Sequence, residues 1–119
     1  MEYREAKAVK QTISIKAPHL FRRAYNKGKS AATPTLVLYA RPNGLGKNRL
    51  GLTVGTKVGK AVVRNRVRRR VRESYRARET GIKTGFDLVV VARAAAADAR
   101  FDQLDRHMGS LLKRLELLL

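Results

Sequence analysis

The spacing of hydrophobic residues changes several times along the chain, and each change marks a predicted helix or strand. A short helix is expected to begin at Pro18 and to end at Gly28, because proline suits the first helical turn and glycine commonly follows the last one. Residues 35–41 are rich in β-branched and aromatic side chains, and residues 49–55 alternate strictly between apolar and other positions. Both segments are typical of strands, and the turn residues at 42–44 between them predict a β-hairpin.

The second half of the chain is predicted to contain two longer helices around one buried strand. From about residue 59 to residue 78 the apolar positions recur every three or four residues, as on one face of a helix. The residues of this stripe are Val63, Val67, Val71 and Ser74, with Tyr75 at its margin. Residues 86–92 form a continuous apolar run, which is typical of a strand buried on both faces. A last amphipathic helix is expected to open near Asp98.

These elements predict a single α+β domain, a sandwich of helices on a small, mostly antiparallel sheet. The predicted order is helix, two or three strands, helix, strand and helix. We assign residues 12–119 to this domain and residues 1–11, which mix acidic and basic side chains, to an N-terminal tail. Side chains alternate across a strand, so one set from each early strand should face the core. The predicted core positions are Leu36, Leu38, Ala40, Leu50, Leu52 and Val54.

The net charge of the chain indicates the class of its binding partner. The 119 residues include 27 lysines and arginines against 9 aspartates and glutamates, a net charge of +18. Because 44% of the residues are hydrophobic, the chain can still bury a core, and the charge indicates a polyanionic partner rather than disorder. Nucleic acid is favoured over a membrane, since no apolar run approaches the roughly 20 residues that cross a bilayer. The absence of cysteine excludes disulfides and thiolate metal sites, and a cytoplasmic location is expected.

The predicted second helix carries a dense run of positive charge. Between Lys60 and Arg72 there are seven basic residues and no acidic one, and Glu73 is the first to interrupt the run. An ordinary solvated helix face mixes charge signs, which allows pairing between residues four apart. Planar guanidinium groups can instead donate two hydrogen bonds to a phosphate or stack on an exposed base. We therefore predict a nucleic-acid-binding face opposite the valines. Its residues are Asn65, Arg68, Arg69 and Arg72, with Lys60 ahead of them.

The same segment contains a longer motif: Lys57-Val58-Gly59, then Ala61-Val62, then Arg64-Asn65-Arg66 followed by further basic residues. This motif resembles the signature of the ribonuclease P protein family, and the resemblance extends over roughly residues 12–115. It implies a protein subunit of ribonuclease P, which binds a catalytic RNA and the 5′ leader of precursor transfer RNA and promotes removal of that leader. Catalysis in this family belongs to the RNA and requires Mg²⁺. No catalytic residue, metal ligand or small-molecule substrate is therefore expected for this chain.

The resemblance also assigns roles to individual positions. Arg64, Asn65 and Arg66 match the motif whose helix contacts the catalytic RNA near the cleavage site, and Lys57 matches a basic position near the leader. The positions that match the lining of the leader cleft are Phe21, Tyr25, Tyr39 and Thr53. The family fold further implies a left-handed crossover from a strand through the basic helix to the next strand. Such a hand is an exception to a rule that holds for about 98% of these units.

Residue chemistry supports the cleft and leaves one alternative open. Tyr39 and Thr53 lie on the non-core face of their predicted strands, where small side chains and hydroxyls leave room for a single strand of nucleic acid. Phe21 and Tyr25, one helical turn apart, match the cleft by resemblance. The same spacing is also that of the core face of an amphipathic helix.

The sequence also allows a metal site and two other functions. Asp98, Asp102 and Asp105 could share a metal ion on one helical face, but Asp98 is better explained as a helix cap and Asp102 as a partner of Arg106. Two functions outside ribonuclease P stay open: a structural RNA-binding protein of the ribosomal kind, and a basic DNA-binding protein. Composition does not separate them, whereas the motif helix and the aromatic cleft positions favour ribonuclease P.

Overall fold

The computed structural model describes residues 12–119, which form three α-helices and a five-stranded sheet. The helices are α1 (Pro18–Lys27), α2 (Ala61–Arg78) and α3 (Phe101–Arg114). The strands are β1 (Thr12–Ser14), β2 (Lys29–Ala32), β3 (Leu36–Pro42), β4 (Asn48–Thr53) and β5 (Phe86–Ala92). Short 3-10 helices follow α2 at Glu79–Gly81 and β5 at Ala94–Ala97. None of the helices in this part of the chain is both long and apolar enough to cross a membrane. The predicted tail, residues 1–11, lies outside the described residues.

The strand order is β1-β4-β5-β3-β2, which places the last strand of the chain in the middle of the sheet. β5 pairs in parallel with β4 and antiparallel with β3; β1 extends the sheet beyond β4 in parallel, and β2 extends it beyond β3 antiparallel. The predicted hairpin is therefore wrong, because β3 and β4 do not pair with each other. β5 separates them, since its apolar side chains on both faces are best buried at the centre of the sheet.

The predicted α+β class is confirmed, and the longest strand pairing, between β3 and β5, is antiparallel as expected for most of the sheet. β4 and β5 are parallel neighbours joined by α2, which is the expected crossover. The left hand of that crossover, implied by the family resemblance, stays a prediction. β1 is an additional strand that the sequence pattern did not predict.

Different helices cover the two faces of the sheet. The main core lies on the face covered by α2 and α3. Four predicted core positions are buried in it, namely Leu36, Leu38, Ala40 and Val54. Leu50 and Leu52 pack against this core but stay partly exposed. On the opposite face, α1 buries Ala24 with Ile15 and Val89 in a smaller group, which we call the α1 core. The sheet thus separates the large main core from the smaller α1 core on its other face.

A buried ion pair fixes β4 on β5. Asp87 is fully buried and accepts hydrogen bonds from Arg49 Nε at 2.7 Å and Nη2 at 2.9 Å. Arg49 lies directly opposite Asp87 in the β4–β5 register, and Asn43 Nδ2 donates a third hydrogen bond to the carboxylate at 3.0 Å. Because these donors satisfy both carboxylate oxygens, the buried charge is compensated and holds the register of the two strands.

The beginning of α3 differs from the prediction. The helix begins at Phe101 rather than near Asp98, and Arg100 occupies the N-cap position, so the predicted Asp98 cap is wrong. Asp102 pairs with Arg100 at 3.1 Å, and the structure gives it no ion pair with Arg106. The physical reason is the short 3-10 helix after β5, which delays the helix by one turn.

Asp105 connects α3 to α2. It accepts a hydrogen bond from Ser74 Oγ at 2.7 Å and pairs with Arg78. Burial acts to raise the pKa of Asp105, but the hydrogen bonds from Arg78 and Ser74 outweigh it and lower that pKa below the usual range. This pairing therefore stabilises the fold above the unfolded pKa, and the contribution is lost as pH falls through the lowered folded value. Among residues 12–119, no group of three or more histidine, aspartate or glutamate side chains is placed to hold a metal ion.

Candidate nucleic-acid interface

α2 buries one apolar face and leaves most of its arginines on the remaining surface. Val67, Val71, Ser74 and Tyr75 are buried, as the three- and four-residue spacing predicts, and Val63 is partly buried. The side chains between these positions are mostly arginines. The predicted division of the helix into a valine face and a cationic face is therefore confirmed.

A tight turn leads from β4 into α2 and exposes two lysines. Lys57 lies within this turn and Lys60 occupies the N-cap position of α2, and both are exposed. Gly59 has a φ of 151°, and a Cβ there would lie 3.1 Å from the side chain of Val63, so the turn requires glycine. The Gly59 carbonyl accepts a hydrogen bond from Arg64 Nε at 3.1 Å. The first motif arginine is thus held against the turn that carries the lysines.

Two arginines of α2 bind the segment between β5 and α3. Arg66 Nη2 donates to the Ala97 carbonyl at 3.2 Å, and Arg70 Nη1 donates to the Ala99 carbonyl at 2.9 Å. These bonds hold the segment between β5 and α3 against α2. Arg66 Nε is buried and has no hydrogen-bond partner among residues 12–119. Arg66, which was predicted to bind RNA, therefore also has a structural role, and only its other N–H groups can serve a nucleic acid.

Apart from Arg78, the arginines of α2 have no carboxylate partner within the described range. The ion pairs found among residues 12–119 are Arg49–Asp87, Arg78–Asp105 and Arg100–Asp102. None of them uses an arginine between positions 64 and 76. Arg68 Nη1 donates to Asn65 Oδ1 at 3.1 Å, which holds these two predicted residues side by side, and Asn65, Arg69 and Arg72 are exposed. The face can therefore accept phosphates without first breaking an ion pair to residues 12–119.

The four residues predicted to line the leader cleft form one cluster between α1 and the sheet. The ring of Tyr25 meets that of Tyr39 edge-on, with centroids 5.0 Å apart and planes at 73°, and the ring of Phe21 lies 6.5 Å from that of Tyr25. The Tyr25 hydroxyl is hydrogen-bonded to Thr53 Oγ1 at 2.9 Å. Tyr25 is 38% exposed, and the other three are half-buried. Aromatic surface is thus open to solvent on this face.

Phe21 lies on the sheet where β4 has a glycine. A Cβ at Gly51 would approach Phe21 Cε1 to 2.7 Å, so the absence of a side chain lets the ring pack there. Phe21 also packs against the α1 core. Phe21 therefore contributes to packing, as the core interpretation of α1 predicts, while the neighbouring Tyr25 leaves aromatic surface open. The leader-cleft interpretation stays a prediction.

The cleft and the basic helix are joined through the end of β4. Thr53 is the last residue of β4, and Lys57 follows four residues later, which limits their separation to about 14 Å. Lys60 and α2 come directly after this turn. The exposed Lys57 therefore lies between the aromatic cluster and α2 along the chain.

A second groove, which the sequence did not predict, runs between β1 and α2. Its first part is lined by Thr12, Ile13, Ser14, Leu50, Arg72, Tyr75, Arg76 and Glu79. Its second part shares Ser14, Leu50 and Arg72 and adds Ile15, Lys16, Leu52 and Arg68. β1 spans only three residues and has no clear alternation, so nothing in the local sequence indicated that it would pair with β4 beside α2. We call this the β1–α2 groove.

Known proteins with similar sequences are described as ribonuclease P protein components. A family model described as Ribonuclease P matches residues 9–116 of the chain. The ribonuclease P protein component of Thermoanaerobacter sp. strain X514 is 43% identical over 108 residues, which is 91% of this chain and 93% of that protein. The ribonuclease P protein component of Clostridioides difficile strain 630 is 41% identical over 108 residues, covering 90% of this chain and 95% of that protein.

Solved structures of RNase P proteins have a fold similar to that of this chain. The RNase P protein of Staphylococcus aureus matches with a TM-score of 0.83 and 33% identity, covering 89% of this chain and 97% of that one. The RNase P protein of Thermotoga maritima, in complex with 1-(4-fluorophenyl)-2-thiourea, matches with a TM-score of 0.78 and 35% identity, covering 84% of this chain and 97% of that one. Sequence, fold and the motif helix agree along nearly the whole chain, which therefore belongs to the ribonuclease P protein family.

Proposed function

We propose that the chain is the protein subunit of ribonuclease P and that α2 binds the catalytic RNA. The observation that carries the proposal is the cationic face of α2, whose arginines between positions 64 and 76 have no carboxylate partner among residues 12–119. Each phosphate that such a face neutralises releases condensed counterions, which favours RNA binding entropically. The residues assigned to RNA contact are Lys57, Lys60, Arg64, Asn65, Arg66, Arg68, Arg69 and Arg72.

The cluster on the α1 face is assigned to the 5′ leader of precursor transfer RNA. Single-stranded RNA exposes its bases, and these stack on aromatic side chains. The partly exposed ring of Tyr25, held by Thr53 and by the edge of Tyr39, supplies such a surface. Lys57, which is exposed four residues after Thr53, is assigned to a leader phosphate. Leader and catalytic RNA would thus occupy different but adjoining surfaces.

Cleavage itself is assigned to the RNA. The carboxylates of Asp87 and Asp105 are held by Arg49 and Arg78, and the donor set among residues 12–119 does not fit a metal-dependent nuclease centre. His107 Nδ1 is hydrogen-bonded to a threonine at 2.6 Å. The reaction of the RNA requires Mg²⁺, and the role of this chain is to bind the RNA and to position the leader.

Reconstitution tests this proposal. The full chain, mixed with a bacterial ribonuclease P RNA, should cleave precursor transfer RNA at the mature 5′ end at low magnesium, where the RNA alone is slow. The RNA-free chain should be inactive at every magnesium concentration. Cleavage by rigorously RNA-free protein that is lost on mutating an acidic residue would contradict the assignment of catalysis to RNA. Failure to stimulate the RNA, together with equal affinity for unrelated RNAs or for duplex DNA, would favour a general nucleic-acid-binding protein.

Tyr25→Ala should weaken binding of precursor transfer RNA to the holoenzyme by about tenfold or more. The reason is that stacking contributes about 1–3 kcal/mol per base, and about 1.4 kcal/mol corresponds to a factor of ten. Mature transfer RNA lacks the leader, so its affinity should change little. The measurement is the dissociation constant of both ligands, at one fixed salt concentration because phosphate contacts depend on salt. Tyr39→Ala should act in the same direction.

Tyr25→Phe is the matched control, because it keeps the ring and removes only the hydroxyl that bonds Thr53. It should retain most of the affinity for precursor. If Tyr25→Ala reduced the affinity for precursor and mature transfer RNA equally, the ring would act on the protein or on its RNA contact, and the cleft assignment would be wrong.

A further inference from the structure

The β1–α2 groove combines features that suit an unpaired nucleotide. Its two parts have cavity volumes of about 180 and 200 Å³, and they meet at Ser14, Leu50 and Arg72. One wall is apolar, because Leu50 is only partly buried and Ile13 is 47% exposed. The opposite wall belongs to α2 and is cationic. The groove therefore offers an apolar side for a base and positive charge for its phosphates.

A buried carboxylate forms part of the lining at one end of the groove. Glu79 is 6% exposed, and Oε2 accepts a hydrogen bond from the Thr12 hydroxyl. Because the Thr12 proton is used in this bond, the Tyr75 hydroxyl, 3.0 Å away, donates to Thr12 Oγ1. Glu79 Oε1 is buried and has no hydrogen-bond partner in the described part of the chain. Burial raises the pKa of the Glu79 carboxyl, and the Thr12 bond and the charge of Arg76 partly offset that rise.

An unsatisfied buried acceptor is uncommon and costs free energy, so it identifies a position where a donor is missing. The cations that line the groove are on its rim: Arg72 and Arg76 are exposed on α2, and Lys16 is exposed beyond β1. A ligand that fits must therefore bring N–H donors to the carboxylate and negative charge to the rim. An RNA nucleotide has both, on the edge of its base and on its phosphates.

The hydrogen-bonding capacity of a carboxylate favours one of the four RNA bases over the others. A carboxylate accepts two parallel hydrogen bonds from adjacent N–H groups. Guanine presents two such groups, N1–H and the N2 amino group, on its Watson–Crick edge. Adenine and cytosine present only an amino group there, and uracil only one imino group. We propose that the β1–α2 groove binds an unpaired guanine of an RNA, with the Glu79 side chain turning from its buried position so that its carboxylate accepts from the base, and with Arg68, Arg72 and Arg76 contacting the adjoining phosphates.

This site lies at the β1 edge of the sheet beside α2, and its lining shares no residue with the four assigned to the leader cleft, so it is distinct from that cleft. The proposal does not require that the RNA be that of ribonuclease P. It predicts a base preference that a purely electrostatic helix face would not have, since phosphate contacts alone carry no sequence information.

Short RNAs test the base preference directly. The probes are fluorescein-labelled five-nucleotide RNAs of uridine with guanosine, inosine or adenosine at the centre, titrated with the full chain at one salt concentration. The guanosine RNA should bind about tenfold more tightly than the adenosine RNA, because a bidentate pair contributes about that much discrimination or more. Inosine lacks the N2 amino group and should lie between them. Equal affinity for all three RNAs would overturn the proposal.

A matched pair of variants locates the preference. Glu79→Gln keeps the shape but replaces one acceptor by an amide, and it should reduce the guanosine preference to about twofold. Glu73→Gln removes the same charge from an exposed position of α2 and should retain the full preference. Thermal unfolding of both variants checks the fold. A guanosine preference that survives in folded Glu79→Gln would refute the role of Glu79. If that variant does not fold, the affinities of the three RNAs for the unmodified chain still test the proposed guanine preference.

Discussion

Val67→Asp should abolish the folded state of the domain. Val67 is completely buried in the main core on the inner face of α2. An aspartate at this position would bury an unpaired carboxylate, at a cost of several kcal/mol, and would also lose the apolar contacts of the valine. Because a domain is stable by only about 5–15 kcal/mol, one such change removes a large part of the total. Circular dichroism and thermal unfolding of the purified variant measure the result.

Val62→Asp provides the matched control on the same helix. Val62 is 75% exposed in the first turn of α2, where a carboxylate also interacts favourably with the helix dipole. This variant should unfold at nearly the temperature of the unmodified chain. If Val67→Asp were as stable as Val62→Asp, α2 would not pack through its valine face, and the assignment of the cationic face to RNA would be wrong as well.

Replacing Arg68, Arg69 and Arg72 together by glutamine should weaken the binding of the chain to the catalytic RNA by about 100- to 500-fold at 0.1 M salt. The figure follows from counterion release, since each phosphate contact contributes a slope of roughly 0.7–0.9 in the logarithm of affinity against the logarithm of salt concentration. The same variant should lower the measured slope by about 2–3. Filter binding or fluorescence anisotropy over a range of salt concentrations gives both quantities.

A second triple variant controls for the loss of charge. Lys83, Arg106 and Lys113 are exposed cations outside α2, and their replacement by glutamine lowers the net charge by the same amount. This variant should keep most of the affinity. Equal losses in the two triple variants would mean that the chain attracts RNA through its overall charge rather than through the face of α2.

The features that the sequence predicted correctly depend on local patterns. The spacing of Val67 and Val71 determines which side of α2 is buried, and the uninterrupted apolar run of β5 determines that both of its faces are covered. The clustering of Phe21, Tyr25, Tyr39 and Thr53 agrees with the resemblance to the family, and their role as a leader cleft stays a prediction. Tyr25 and Thr53 are 28 positions apart, and their direct hydrogen bond becomes visible only when the sheet and α1 are in place.

The features that were missed depend on distant partners. The turn between β3 and β4 is typical of a hairpin, but strand order is decided by burial, and β5 arrives much later in the chain to take the central position. Arg66 and Arg70 find their acceptors at Ala97 and Ala99, about 30 residues away, where an alanine run shows no pattern that would indicate such a contact. The β1–α2 groove arises from a strand too short to be recognised.

Because β5 is the central strand, the sheet can be completed only late in the synthesis of the chain. Until residue 92 has left the ribosome, β1 with β4 and β2 with β3 can form only two separate strand pairs, because the strand that joins them has not emerged. Pairing across such sequence distances is slow compared with helix formation. At about 5–20 residues per second, a nascent chain therefore spends seconds with its basic helix already synthesised and its sheet still divided. During that interval α2 has no completed core to pack against, although its positive charge is already accessible to RNA.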